Sequence, residues 1–584
     1  MTAGAGLARR QNLVLVAVLA IMMVFGGRLV YVQAVEGPQL AEEALDKRLS
    51  YSTLQAPRGD ILDANGEILA TSVQRYNVGV NQRMIRDFTT EVDGEQKTGA
   101  VAAAALLAPL LGRDAAELGA QMVGDSTFVY LAKGLTPDQW REVRALGIPG
   151  IEPEATTERI YPNGNTAGNV VGFVGRDGEG LAGLELAFED ELEGVEGSSV
   201  VEIGLHGQRI PAGQRSMTPS QAGQTIHTTI DRDIQFRAQQ VIDESTATYG
   251  AAWGAVVVQE IATGRIIALA DSGAVDPNNY QATAPEARGS RAVQAAYEPG
   301  STGKVPTFAS ALETGVVEPT TVFTTPDRFT TPSGQTFSDA DPHATEDMTV
   351  AGILATSSNT GTVQIGDLMS DEERYDYLRA FGFGQATGIG LPGETAGILA
   401  PPESWDGRQR YTTMFGQGMA VNLIQNTAVA ATIGNAGVRL TPRLVDGFTD
   451  AEGQFVPSTA EEGTQVVSPE TAAEMLTMME GVVAREGTGI LGAVDGYRAA
   501  GKTGTAQVPD ANGNLNQTVV NFIGVAPADA PRIAVGVVLY HPSNQRPSSI
   551  IAAPVFKDVA AFALRHLGVP PSGTEPELYP LRAE

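Results

Sequence analysis

The chain has no cysteine, which excludes disulfides, thiolate nucleophiles and Cys-ligated zinc or iron-sulfur centres. Histidine is almost as scarce. Its five residues stand singly along 584 positions, so a His-based metal site or a Ser-His-Asp triad would need distant residues to converge. Neither a metal nor another cofactor is expected. Positive charge is also in deficit: 39 Lys and Arg stand against 68 Asp and Glu, a formal net charge of -29. Such a field opposes phosphate backbones, so nucleic acid is not an expected partner. Lysine is confined to Lys47, Lys97, Lys133, Lys304, Lys502 and Lys557, which makes the local context of each one informative.

Long apolar runs are equally rare, with one exception. Residues 13–27 are apolar or small, Arg28 interrupts, and 29–32 and 34–35 continue the run. Counting from 13 to 32 reaches the roughly 20 residues that a spanning helix needs, provided Arg28 lies near the outer interface and extends its guanidinium to water. The run therefore predicts a single transmembrane helix over 13–35. Arg9 and Arg10 precede it, placing residues 1–12 in the cytoplasm and the bulk of the chain outside. A cleaved signal peptide fits less well, because no small-x-small site follows promptly.

The length implies two or more domains. Residues 36–225 are mixed and turn-rich. Asn65-Gly66, between apolar stretches, predicts a hairpin, residues 100–111 an Ala- and Leu-rich helix shortened by Pro109, and the surroundings of 158–162 and 180–185 irregular connections. From 226 to 568 the pattern changes. An extended segment at 228–231 leads into a helix over 232–244, and strands follow at 255–261 and 266–270. Ser468 caps a helix that starts at Pro469 and runs to about Val483. Strands at 522–525 and 533–539 pair antiparallel. Strands at both ends with helices between give an α+β domain. The Pro-rich tail, 569–584, is expected to be loose.

Three short motifs carry chemistry. In Ser301-Thr302-Gly303-Lys304, which follows the turn Glu298-Pro299-Gly300, a helical start would put Ser301 and Lys304 on one face. A Ser hydroxyl needs a base to become a nucleophile, and Lys serves as one when burial or a second cation lowers its pKa. In Ser357-Ser358-Asn359, the Ser357 hydroxyl suits proton relay and the Asn359 amide suits holding a carbonyl, although a polar helix start would look the same. Lys502-Thr503-Gly504-Thr505 lies in a small-residue stretch fit for an edge strand, where Lys and Thr side chains bind a carboxylate and a strand N–H faces an oxyanion. Lys97-Thr98-Gly99 repeats the last tripeptide, but it follows a charged turn and precedes the Ser-x-x-Lys element, so its order and context are wrong. Ser-x-x-Lys, Ser-Ser-Asn and Lys-Thr-Gly in this chain order supply complementary parts of acyl transfer, and the set matches that of penicillin-binding and β-lactamase enzymes except that their middle motif is Ser-Asp-Asn.

With these motifs the chain resembles a class B penicillin-binding protein. The likeness extends to Arg58-Gly59, Arg159-Ile160-Tyr161-Pro162 and Gly180 through Glu185 in the first region, and to Phe381-Gly382-Phe383-Gly384, Phe415-Gly416-Gln417-Gly418 and Ala506-Gln507 in the second. Arg28-Leu29 and Glu298-Pro299-Gly300 look more like the division-specific than the elongation-specific enzymes. The resemblance implies an elongated mixed pedestal or dimerisation domain over 36–225 and a serine β-lactamase-like transpeptidase domain over 226–568. It also implies a D,D-transpeptidase that cross-links peptidoglycan stem peptides at the septum and is acylated by β-lactams. Carried over by position, Ser301 is the nucleophile, Lys304 its base, Ser357 the relay, and Asn359 the holder of the donor peptide. Lys502, Thr503, Gly504 and Thr505 bind the carboxylate end, and the backbone N–H groups of Ser301 and Thr505 face the oxyanion. Lys502 is further expected to keep Lys304 neutral by charge repulsion. Implied partners are stem peptides, β-lactams, the membrane, and division proteins including a glycan polymerase. Two positions depart from the family pattern: Pro306 stands two residues after Lys304 instead of directly after it, and Asn422 stands where Thr is usual. The rival readings are a D,D-carboxypeptidase with the same site and a non-enzymatic β-lactam sensor or division scaffold. A β-lactamase is disfavoured by the lack of Glu-x-x-Leu-Asn.

Overall fold

The apolar run lies in helix α1 (Gly4–Tyr31), which continues through a π-helical turn, Val32–Glu36, into Gly37–Asp46. Its apolar side chains are exposed along their length, as a membrane-crossing helix requires. Arg28, the one charge in the run, ion-pairs with Glu36 at 3.4 Å and lies over the Tyr31 ring. This computed structural model describes residues 4–205, 207–508, 516–543 and 546–583. The first three residues of the expected cytoplasmic segment and Glu584 of the tail lie outside them.

The chain divides into two compact units. The smaller comprises Met1–Pro57, Val73–Glu158 and Gly194–Ala222, and the larger Arg58–Ser72, Arg159–Glu193 and Gly223–Glu584. In the smaller unit, helix α2 (Gly99–Leu111) packs Ala103, Leu107 and Ala108 against Val78, Val80, Leu118 and Leu131. Pro109 does not shorten it. The proline falls in the last turn, where the buried Ala and Leu face holds the helix together and only one N–H is forgone, and the helix ends at Gly112 in the left-handed region. The same unit contains a three-stranded antiparallel sheet, Leu49–Leu54, Gly197–Glu202 and Arg215–Thr218.

In the larger unit the Asn65-Gly66 hairpin forms. Asp63 accepts from the N–H groups of Asn65 and Glu67, and Gly66 supplies the positive φ. Residues 58–72 and 159–193 belong here because Glu185, fully buried, holds Arg58 at 2.6 Å and Arg159 at 2.7 Å. Removing one partner of such a network leaves a buried charge uncompensated.

The centre of the larger unit is a five-stranded antiparallel sheet of β1 (Trp253–Glu260), β2 (Ile266–Asp271), β3 (Ala500–Val508), β4 (Gln517–Ala526) and β5 (Ile533–Tyr540), in the order β2-β1-β5-β4-β3. Around it lie α3 (Arg232–Tyr249), α4 (Lys304–Glu313), α5 (Val350–Thr356), α6 (Asn359–Gly366), α7 (Leu423–Gly434), α8 (Pro469–Val483) and α9 (Ser548–His566). Because both faces of the sheet are covered by helices, the strands are almost continuously apolar instead of alternating. Val256, Val258, Phe522 and Val535 pack with Ile234 of α3 and Phe556 of α9, whereas Val257, Ile523, Val525 and Ala534 face Leu423 of α7 and Met479 of α8. Ser468 caps α8 as expected, accepting from Thr471 N. Helix α3 outlasts its expected end at 244 and stops at Gly250, the first residue suited to a left-handed cap.

The tail is docked, not loose. Tyr497 donates to Val569 O, Ser572 exchanges bonds with Gly496 O and Arg498 N, and Leu581 O accepts from Thr349 N. Its prolines limit the conformations lost on docking, and its partners lie far away in sequence, 72 residues for Tyr497–Val569 and 231 for Thr349–Pro580.

Candidate active site

Ser301 lies in a 3₁₀ turn, Gly300–Gly303, that runs straight into α4 at Lys304. In a 3₁₀ turn residues three apart eclipse, so Ser301 and Lys304 stack on one edge. Because α4 begins at Lys304, Pro306 occupies its first turn, where an N–H has no intrahelical acceptor to lose, and it leaves Lys304 in place. Two glycines let the turn approach β3. A Cβ at Gly300, whose φ is +55°, would come within 2.4 Å of Thr505 O, and one at Gly504 within 2.6 Å of Pro299 O. A buried polar cluster fixes the turn from behind. Asn521 of β4 donates to Pro299 O at 3.0 Å, and Thr302 Oγ1 lies 3.0 Å from Asn521 Oδ1 and 3.2 Å from Asn426 Nδ2 of α7.

Ser357 ends α5 in the left-handed region, φ +62°, and Ser358 caps α6, so the Ser-x-Asn element is the junction of two short helices. Strain of this kind at a non-glycine residue persists only where surrounding bonds enforce it. Here Asp339 enforces it, accepting from Ser358 Oγ at 2.7 Å, from Asn359 N and from Thr360 N at 3.0 Å. Lys304 Nζ donates to Ser357 O at 2.5 Å, Ser357 Oγ at 3.2 Å and Asn359 Oδ1 at 2.8 Å.

Lys502, on edge strand β3, directs Nζ to Ser357 Oγ at 2.9 Å and to Thr503 O at 3.1 Å. The Ser357 hydroxyl therefore lies between two amines, both on fully buried side chains. Thr503 Oγ1 meets Thr488 Oγ1 at 3.0 Å, and Thr488 N donates to Ala355 O, tying β3 to the end of α5. Thr505 is exposed on the strand, with its hydroxyl 3.3 Å from Ser548 Oγ. Ser301, Lys304, Ser357, Asn359, Lys502, Thr503, Gly504 and Thr505 thus share one locality, whereas Lys97-Thr98-Gly99 lies at the start of α2 in the smaller unit. Asp339 and Thr488 had no motif or spacing to announce them. Among the described residues no group of three or more Asp, Glu or His is placed to hold a metal ion.

Burial brings the Lys304 ammonium down to about 7, with the Asp339 carboxylate partly opposing it. Lys502 is driven well below the ordinary lysine range, first by burial and then by the Lys304 cation. Desolvation is the leading cause at both amines, and repulsion between two like charges acts on the pair. The departure at Asn422 also has a local account. Asn422 caps α7 in a reciprocal box with Gln425 and donates its amide to Thr395 O at 2.8 Å, a bond that Thr has no N–H to make.

Comparison with known proteins finds relatives along most of the chain. The family model described as penicillin binding protein transpeptidase domain matches residues 254–561, and that of the penicillin-binding protein dimerisation domain matches 53–228. The chain is 32% identical over 582 residues to penicillin-binding protein PbpB of Mycolicibacterium smegmatis, covering 95% of this chain and 90% of that protein. It is 31% identical over 551 residues to peptidoglycan D,D-transpeptidase FtsI of Escherichia coli, covering 93% and 90%. Its fold matches penicillin-binding protein 3 of Mycobacterium tuberculosis, crystallised with aztreonam, with a TM-score of 0.70 and 28% identity over 91% of this chain and all of that one.

Proposed function

The chain belongs to the class B penicillin-binding proteins of the division type, and from that membership we propose that it is a septal peptidoglycan D,D-transpeptidase acting through an acyl-enzyme on Ser301. The observation that carries the reading is the Ser357 hydroxyl held 3.2 Å from Lys304 Nζ and 2.9 Å from Lys502 Nζ, beside the turn that presents Ser301.

Two buried amines bridged by one hydroxyl disfavour a second positive charge. In the empty site the proton resides on Lys304, whose three N–H bonds to Ser357 and Asn359 suit an ammonium. Arrival of the terminal D-Ala carboxylate at Lys502, Thr503 and Thr505 favours charge on Lys502 and draws the proton there through Ser357. Lys304 is then neutral and turns a lone pair to Ser301. Ser301 Oγ attacks the carbonyl of the D-Ala-D-Ala bond as its proton passes to Lys304, and the backbone N–H groups of Ser301 and Thr505 face the oxyanion. Collapse of the intermediate breaks the C–N bond, and the proton on Lys304 reaches the leaving amine through Ser357 while Asn359 holds the donor peptide. The amine of a second stem repeats the sequence in reverse. A β-lactam enters as a mimic of the donor and stays on Ser301.

The helix α1 anchors the protein with residues 13–35 in the membrane and the bulk outside, where the substrate lies, and a glycan polymerase supplies the strands to be joined. Purified full-length protein given donor and acceptor stem peptides should yield the cross-linked dimer. Release of D-Ala with hydrolysed donor alone would instead make it a carboxypeptidase.

A further inference from the structure

The end of the chain returns to the helix that carries Ser357. Thr349 N donates to Leu581 O and Ala583 N to Asp347 O, each at 3.1 Å, and Met348 pairs with Arg582, so the tail adds a short strand beside Glu346–Thr349. Thr349 is the N-cap of α5. Its Oγ1 accepts from Gly352 N at 2.9 Å and donates to Pro580 O at 2.6 Å. A hydroxyl has one proton, so the tail carbonyl fixes the rotor with a lone pair facing the helix. Gly352 completes the fit, since a Cβ there would lie 1.9 Å from Leu581 O. Glycine weakens a helix relative to alanine, and the strap accounts for its presence. Arg582 adds bonds to Glu346 at 3.0 Å and Glu486 at 2.8 Å, and Tyr579 packs on the core.

Helix α5 has seven residues, too few to hold itself, and its last act is to place Ser357 in the left-handed region. We propose that residues 578–583 form a C-terminal strap that positions the site for acyl transfer, holding α5 so that the Ser357 hydroxyl stays between Lys304 and Lys502. The strap touches no substrate; it acts through Thr349, Gly352 and the helix. The inference rests on the reading of Ser301 as nucleophile and Ser357 as relay.

The test uses full-length protein in detergent, a chain ended at Glu577, and Gly352→Ala in the intact chain. Stopped-flow reaction with a fluorescent penicillin separates the pre-covalent dissociation constant from the acylation rate constant. Displacement of a relay group by about 1 Å suffices for a large rate loss. The acylation constant should fall about tenfold in each variant, with the dissociation constant within about twofold of wild type. Gly352→Ala should add nothing in the shortened chain, where no Leu581 carbonyl remains to be met. Acylation constants within about twofold of wild type overturn the strap and leave the Ser301 reading standing, as does a loss that only accompanies equally weakened binding and a lowered melting temperature. If the shortened chain does not fold, the intact Gly352→Ala protein decides. A wild type that is not acylated removes both.

Discussion

Burial of Lys304 sets the pH behaviour of the site. With its folded pKa near 7 against 10.5 for a free lysine, Lys304 gives up the single proton of the empty site as pH rises through 7. Since that proton is the one Lys502 takes to bind the carboxylate, the second-order acylation rate should fall above 7. The same shift means that between about 7 and 10.5 the unfolded chain binds a proton the folded one does not. This group's contribution to stability therefore rises with pH across the window and is lost as pH falls through 7. Lys304→Arg, which keeps a cation but cannot surrender its proton, should lower acylation by about 10²–10⁴-fold. Lys502→Met tests the cause of the shift. Carboxylate binding should weaken, and with no second amine to take the proton, acylation should rise with pH through the Lys304 midpoint, which should stay near 7 because burial is the leading cause of its shift. A midpoint displaced upward by a full unit would restore charge repulsion as the governing term.

At the scale of elements, the site depends on a close approach of the Ser301 turn to β3 that leaves no room for a Cβ at Gly300 or Gly504. Gly300→Ala combines a strained φ of +55° with a Cβ 2.4 Å from Thr505 O, so it should reduce acylation by about 10²-fold by separating the Ser301 turn from β3. Asn422→Ala removes the cap of α7 and should lower stability by about 1 kcal/mol in urea titration, with Asn422→Thr intermediate because it keeps a capping oxygen but not the bond to Thr395. Elements with local signals were legible in the sequence: Ser468-Pro469 starts α8 and Asn65-Gly66 turns the first hairpin, each where the residues direct. Ends that depend on packing were not. Pro109 reads as a stop, yet burial of Ala103 and Leu107 carries α2 past it, and α3 outruns its polar face to reach Gly250.

Across the whole molecule, order and spacing of the three motifs sufficed to place Ser301, Lys304, Ser357, Asn359 and Lys502 together, because each motif states its own chemistry. What escaped was support supplied from afar. Asp339 sits in an unremarkable acidic loop, Thr488 follows a helix with no motif of its own, and Pro580 of the strap is 231 residues from Thr349, the cap it serves. Such contacts carry no periodicity for a sequence to display. The buried ion cluster of Arg58, Arg159 and Glu185 was visible only as separate family-like motifs. Removal of residues 1–46, the exposed apolar segment, should release the remainder from detergent dependence without changing its acylation rate. The most direct measurement is intact-mass analysis of the full-length protein after exposure to benzylpenicillin, followed by peptide mapping. One penicilloyl group on Ser301, absent from Ser301→Ala, is the predicted result; an adduct on another residue, or none at all, would contradict it.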